Sequence, residues 1–223
     1  YNVPAIESAI ERGLDAVGFD WAGRRTAVVK PNLVIAVRPR SAVVTHPSVT
    51  EAVIGVLRAH GIERIAIAEG PGVGSDMAAV FEATGYRALA GRLDVELVDF
   101  NSAERRDRRW KYGTLGVPAV LEDADLYVNV PKLKTHGYTT VTLSIKNHKG
   151  MLAEEDKKRD HHLGLHDPLV QQAKLRPPDL IVLDGVVGMH HDGPLNGKPL
   201  RAGVFALGTN MAELDGAVAR LMG

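Results

Sequence analysis

The sequence predicts an α/β fold, a mainly parallel or mixed sheet with helices on both faces. Short apolar runs at residues 26–29, 62–68, 95–98, 126–130 and 180–183 alternate with helical patterns or long loops. Buried parallel strands joined by crossover connections read in this way. Polar residues also gather just beyond the carboxyl ends of these runs, where open α/β sheets bind their ligands. Nothing in the chain repeats, and no Ser-, Pro- or Gly-rich linker divides it, so residues 1–223 are read as a single domain with an irregular loop region at about 135–166.

The elements follow in order. Residues 4–17 place Ala5, Ile6, Ile10 and Leu14 on one stripe and predict an opening helix. The run at 26–29 stops at Lys30, Pro31 and Asn32, since proline cannot continue a ladder. Residues 47–60 carry helical spacing, with Pro47 in the first turn and Gly61 as the stop. The strand at 62–68 leads to Glu69 and to a glycine-rich loop at 70–74, after which a helix capped by Ser75 runs to about Thr84. The last 20 residues read as a strand at 203–207, a turn at 208–210 and a helix at 212–222. Residues 101–116 and 135–166 show no clean period, and the charge run at 154–160 reads as a solvated loop or helix face.

Composition narrows the function classes. Lys+Arg and Asp+Glu are both 27 and aromatics are 5%, which leaves neither the field nor the stacking platforms expected of a nucleic-acid binder. With no cysteine, the chain forms no disulfide and holds no iron–sulfur cluster on its own thiolates. No apolar run approaches the roughly 20 residues of a membrane span, so the expected partners exclude membranes and the expected location is cytoplasmic. The first residue is Tyr1 rather than Met, which is compatible with a missing native N-terminus or a removed export signal.

Charge is local rather than global. Residues 21–50 hold five basic side chains and no acid, and residues 129–150 hold four lysines and no acid. Lys30, Asn32, Lys132, Lys134, Lys146 and Asn147 are therefore the candidate ligand-binding residues for a small carboxylated or phosphorylated molecule. Alternation along residues 131–136 places Lys132, Lys134 and His136 on one side of a strand end; lysines guarding a sheet edge would look the same. Glu69, His136 and Asp184 are the candidate catalytic residues, able to move protons or hold a metal. The loop at 70–74 could cradle an anion on its amides, although it has neither a Walker lysine nor the G-x-G-x-x-G spacing.

Among nine histidines, His161, His162 and His166 stand close together, as do His190 and His191 beside Asp192. Imidazole and carboxylate suit a borderline divalent metal, and Asp184 with His162 is the candidate pair. No H-E-x-x-H spacing identifies the ion.

A set of short motifs, in order, resembles the domain-of-unknown-function family 362. They are residues 29–33, His46-Pro47, residues 67–70 and 130–136, Lys146-Asn147 with Gly150, His162, Asp184-Gly185, Gly193-Pro194 with Gly197, and Leu214-Asp215. The resemblance implies more about fold than about activity. Many members carry a ferredoxin-like cysteine module beside this domain, so the resemblance implies a separate ferredoxin as a candidate partner of this cysteine-free chain. Asn210 stands where the family pattern leads one to expect aspartate. The expected function is that of an enzyme acting on a small anionic metabolite; a non-catalytic carrier or sensor with the same pocket is the alternative.

Overall fold

The computed structural model describes all 223 residues. Helix α1 (Val3–Val17) leads into strand β1 (Thr26–Pro31), helix α2 (Pro47–Ala59) and strand β2 (Arg64–Glu69). Helices α3 (Met77–Ala83) and α4 (Tyr86–Leu93) precede strand β3 (Glu96–Asp99). A hairpin of β4 (Arg105–Trp110) and β5 (Gly113–Pro118) is followed by α5 (Ala119–Asp123) and β6 (Leu126–Val130). Strands β7 (Lys132–His136) and β8 (Thr140–Thr142) then give way to α6 (Ser144–His148), α7 (Glu154–His162) and α8 (His166–Gln172). Strands β9 (Leu180–His190), β10 (Lys198–Leu200) and β11 (Val204–Gly208) and helix α9 (Met211–Met222) complete the chain.

The sheet runs β3-β2-β1-β6-β9-β7-β8, with β10 and β11 also paired to β9. Pairs among β1, β2, β3, β6 and the start of β9 are parallel, whereas β8, β10 and β11 join antiparallel. Period-two alternation sorts side chains between layers. Ala27 and Val29 face the large core under α1 and α2, and Val28 between them faces a second core with Phe100, Leu121 and Tyr127. In β9, Leu180 and Val182 join the large core, while Ile181 and Leu183 pack with Met211 and Leu214 of α9.

Several expectations need correction. The helix expected from Ser75 starts one residue later, because the Asp76 carboxylate accepts from the Ala79 amide and so supplies the cap. Helix α4 follows Gly85, where the sequence predicts no element, and the β4–β5 hairpin occupies most of residues 101–116, which show no clean period. The region at 135–166 is not an irregular loop: it folds into the end of β7, β8, α6 and α7. Asn210 caps α9, its side-chain oxygen accepting from the amides of Ala212 and Glu213, a task asparagine performs as well as aspartate.

Ile67 is fully buried in central strand β2. Ile67→Ala should lower unfolding free energy by about 2–5 kcal/mol in urea denaturation. The same truncation at the exposed Leu221 of α9 should change it by no more than about 0.5 kcal/mol.

Candidate functional site

Beyond the carboxyl ends of β1 and β2 lies a cavity of about 230 Å³. Asn32 and Val34 after β1, Glu69 and residues 70–73 after β2, Lys134 and His136 of β7, Lys146 and Asn147 of α6, and Lys157 and His161 of α7 line it, with Lys149 and Gly150 between the last two helices. Parallel pairing of β1 with β2 and β6 delivers the first groups to one edge. The short β7–β8 hairpin and α6 bring the others over it.

The floor is an ion pair. Lys30 Nζ lies 2.7 Å from Glu69 Oε1, with both side chains buried, and donates to the Asn147 carbonyl at 2.7 Å. Glu69 also accepts from the amides of Gly70 at 2.9 Å and Leu33 at 3.2 Å. One carboxylate thus fixes two loops. Burial pushes the Lys30 ammonium below its ordinary range, against the pull of Glu69. Gly150 closes over the pair, where an added Cβ would sit 2.6 Å from Lys30 Nζ and closer still to Glu69.

Above the floor the walls are cationic. Lys134 donates to the Val43 carbonyl at 2.7 Å, and Lys157 to the carbonyls of Gly70 and Pro71 at 3.0 and 2.9 Å. Lys149 stands 3.6 Å from the buried Asp160. Lys146 has no protein acceptor among the hydrogen bonds and ion pairs of the chain. Burial, reinforced by Lys146 and Lys132, lowers Lys134 to about 7. Burial and Lys149 lower Lys146 to about 8, and burial lowers Lys157 to about 8. Because these groups shed protons more readily folded than unfolded, their contribution to stability rises with pH between about 7 and the unfolded lysine value near 10.4.

His136 is oriented by its own turn. Its Nδ1 accepts from the backbone amides of Tyr138 at 3.0 Å and Thr139 at 3.3 Å, and an amide can only donate. The neutral ring therefore carries its proton on Nε2. Burial and the nearby Lys146 lower it to about 4, so at neutral pH it is an uncharged hydrogen-bond donor rather than a base. Of the two directions open to a residue expected to move protons, this favours hydrogen-bond donation by His136.

Two amides of the glycine-rich loop are already committed inside the protein. The Gly70 amide is bound to Glu69 and the Gly72 amide to the Val34 carbonyl at 2.7 Å, while the Gly70 and Pro71 carbonyls turn to Lys157.

Helix α6, only five residues long, is held from outside. Asp215 of α9 accepts from the Ser144 amide at 2.8 Å, the Ser144 hydroxyl at 2.5 Å and the Ile145 amide at 2.9 Å. At its other end, Asn147 donates to the Asn129 side chain at 2.7 Å. Lys146 lies between these two anchors.

Of the sequence candidates, Asn32, Glu69, Lys134, His136, Lys146 and Asn147 share the cavity and Lys30 supports its floor. Lys132 and Asp184 do not line it. They form a second buried pair at 2.7 Å, closed by the Tyr1 hydroxyl, 3.1 Å from Lys132 and donating to Asp184 at 3.3 Å, and by the His46 amide at 2.9 Å. Tyr1 and the His46 amide close the pair of Lys132 with Asp184, whereas Lys134 donates to the Val43 carbonyl and still lines the cavity, a difference that strand alternation cannot predict. Metal binding by Asp184 and His162 also fails on geometry: Asp184 is saturated and fully buried, His162 is exposed on α7, and no three His, Asp or Glu side chains converge anywhere in the chain.

Lys149 and Lys157 are not among the candidate site residues of the sequence, and His161 stands out there only as one of a cluster of histidines. Lys157, Asp160 and His161 stand at helical spacing within the charge run and share one face of α7. Read as a helix, the run would have exposed that face.

Glu69→Gln should cost about 3–5 kcal/mol in denaturant unfolding, since it strands Lys30 in the interior. The paired change Lys30→Met with Glu69→Leu should cost less than Glu69→Gln alone, because no charge is left unpaired.

Among known proteins, the chain is similar to the thylakoid-associated protein sll1697 of Synechocystis sp., at 30% identity over 96% of this chain and 69% of that protein. Among solved structures it is similar to the lactate racemase apoprotein of Thermoanaerobacterium thermosaccharolyticum, at TM-score 0.61 and 15% identity, covering 96% of this chain. A structural-genomics protein from Thermotoga maritima follows at TM-score 0.51 and 10% identity, covering 99% of this chain. The chain spans 54% and 58% of those two structures, and at such identities the likeness is one of fold. Residues 27–220 match the family described as domain of unknown function (DUF362), and the chain belongs to that family.

Proposed function

We propose that the cavity binds a small carboxylated or phosphorylated metabolite and that the chain is an enzyme acting on it through proton transfer. The observation that carries this reading is the inventory of the walls. Four lysines and two histidines surround the space, and Glu69, the one carboxylate among the lining residues, is already spent on Lys30. Buried cations without counter-charges are costly, and a ligand anion relieves the cost.

Lys146, lacking a protein acceptor, is the primary anion contact, and Asn32 and Asn147 orient the bound group. His136 donates a hydrogen bond from Nε2–H to an oxygen of the bound group. Lys134 is the group suited to take or give a proton near neutrality, because burial and its cationic neighbours keep its amine partly unprotonated there. Glu69 and Asp184, both saturated in ion pairs, position rather than react. A carrier or sensor is favoured by that same saturation of carboxylates, and it differs in showing saturable binding without turnover. Any redox link of the kind the family resemblance implies would need a separate electron carrier, since the chain has no cysteine to ligate a cluster.

Thermal unfolding followed against inorganic phosphate tests the reading. The midpoint should rise with the logarithm of phosphate concentration once that exceeds the dissociation constant, with about 2.7 kcal/mol of added stability at a hundred times that constant, and Lys146→Ala should abolish this part of the rise. Affinity for sulfate, whose charge is constant in this range, should weaken at fixed ionic strength as pH climbs through about 7 to 8 and then beyond, as Lys134, Lys146 and Lys157 lose their protons. The same phosphate dependence in wild type and Lys146→Ala would remove the support for the site.

A further inference from the structure

Lysines around the cavity fall into two groups. Lys30 is neutralised by Glu69, and Lys149 faces Asp160. Lys134, Lys146 and Lys157 take part in no ion pair of the structure, and the neutral carbonyls that receive Lys134 and Lys157 do not cancel a charge. These three come from β7, α6 and α7, three separate elements that converge on one small space. Buried cations are either paired or give up their protons, so all three can be charged together only when something else supplies the negative charge.

Resting on the anion-binding reading above, we propose that the ligand is a compact di- or trianion, a phosphate ester or a polycarboxylate, whose charge matches Lys134, Lys146 and Lys157. A singly charged carboxylate would leave two of the three uncompensated. A volume of about 230 Å³ lies below the roughly 300–1,000 Å³ of sites for drug-sized ligands, which favours a small, charge-dense molecule over a nucleotide.

Proton linkage makes the charge countable. Lys134 faces Lys146, Lys132 and Glu69; Lys146 faces Lys149, Asp160 and Lys30; Lys157 faces Glu69, Lys30, Arg105 and Asp99. In the free protein their values of about 7, about 8 and about 8 leave the trio partly unprotonated near pH 8. A polyanion draws protons back onto them, and a monoanion does so less.

Calorimetric titration at about pH 8 and constant ionic strength, in two buffers of different ionisation enthalpy, reads both affinity and proton uptake. Sulfate stands for the tetrahedral source, malonate and tricarballylate for the polycarboxylate source, and acetate for a single charge. At least one polyanion should bind about tenfold or more tighter than acetate, with on the order of one proton taken up per site. Whichever of sulfate or the carboxylates binds more tightly identifies the source. Lys146→Gln and Lys157→Gln should each narrow the gap and reduce the uptake, whereas Lys198→Gln on exposed β10 should change neither. Acetate binding as tightly as the polyanions, or polyanion binding without proton uptake, overturns the charge match while leaving an anion site in place. Absence of binding by all four ions overturns the anion reading as well.

Discussion

The buried pair between Lys30 and Glu69 joins more of the site than any other contact. Strands β1 and β2 run parallel and adjacent, so their last residues arrive side by side at the carboxyl edge of the sheet. A lysine there must be either paired or deprotonated, and a carboxylate there must gather donors. Glu69 gathers Lys30 together with the amides of Leu33 and Gly70, the first residues of the two loops that leave the strands. Lys30 in turn reaches the Asn147 carbonyl at the far side of the cavity. The pair therefore sets where both loops start and where α6 ends, and with them the spacing of opposite walls. Whatever binds above rests on a rigid, electrically neutral base.

Neutrality of the floor is what gives the walls their effect. Had Glu69 been free, it would have served as counter-ion to Lys134 or Lys157, and the cavity would carry little field. Because it is committed, as Asp160 is to Gln172 at 2.6 Å and more distantly to Lys149, the remaining ammonium groups repel one another in a space with little water. Burial first, and that repulsion second, lower the proton affinities of Lys134 and Lys146. The separate pair of Lys132 with Asp184 shows the contrast. It sits on the same strand as Lys134, yet Tyr1 and His46 close it off, and it acts as a structural tie between β7 and β9.

Elements built on apolar burial were legible in the sequence, and those built on polar contacts were not. Strand β6 appears as residues 126–130 from its hydrophobic run alone, because every one of its side chains is buried. Strand β4, Arg105 to Trp110, has no apolar face to betray it. Arg106 and Arg108 instead meet Asp123 and Glu122 of α5, contacts that exist only once the chain is folded. Helix α7 has almost no hydrophobic stripe. It has acids in its first turn, basic side chains in its last, and a Glu154–Lys158 pair one turn apart, all of which favour a helix by charge. A reading weighted toward hydrophobic periodicity passes over such a segment, and with it Lys157 and His161. Polar positions at strand ends were recoverable because the carboxyl edge of a parallel sheet collects them by topology. Their partition into cavity and interior was not, since it depends on which loop lies over which lysine.

The cationic wall also depends on the end of the chain. A helix as short as α6 is not stable alone, because its nucleation cost is spread over too few hydrogen bonds. Its first amides are satisfied by Asp215, which α9 presents after β11 has paired back along β9. Leu214 beside it packs with Leu143, the residue that opens α6, so the same turn of α9 supplies both the carboxylate and the apolar contact. Leu214-Asp215 is among the short motifs that the family resemblance rests on, although neither residue lines the cavity. Its place follows from the fold: Lys146 has no partner of its own to hold it, so the backbone beneath it must be fixed by other means, and Asp215 is the group that fixes it.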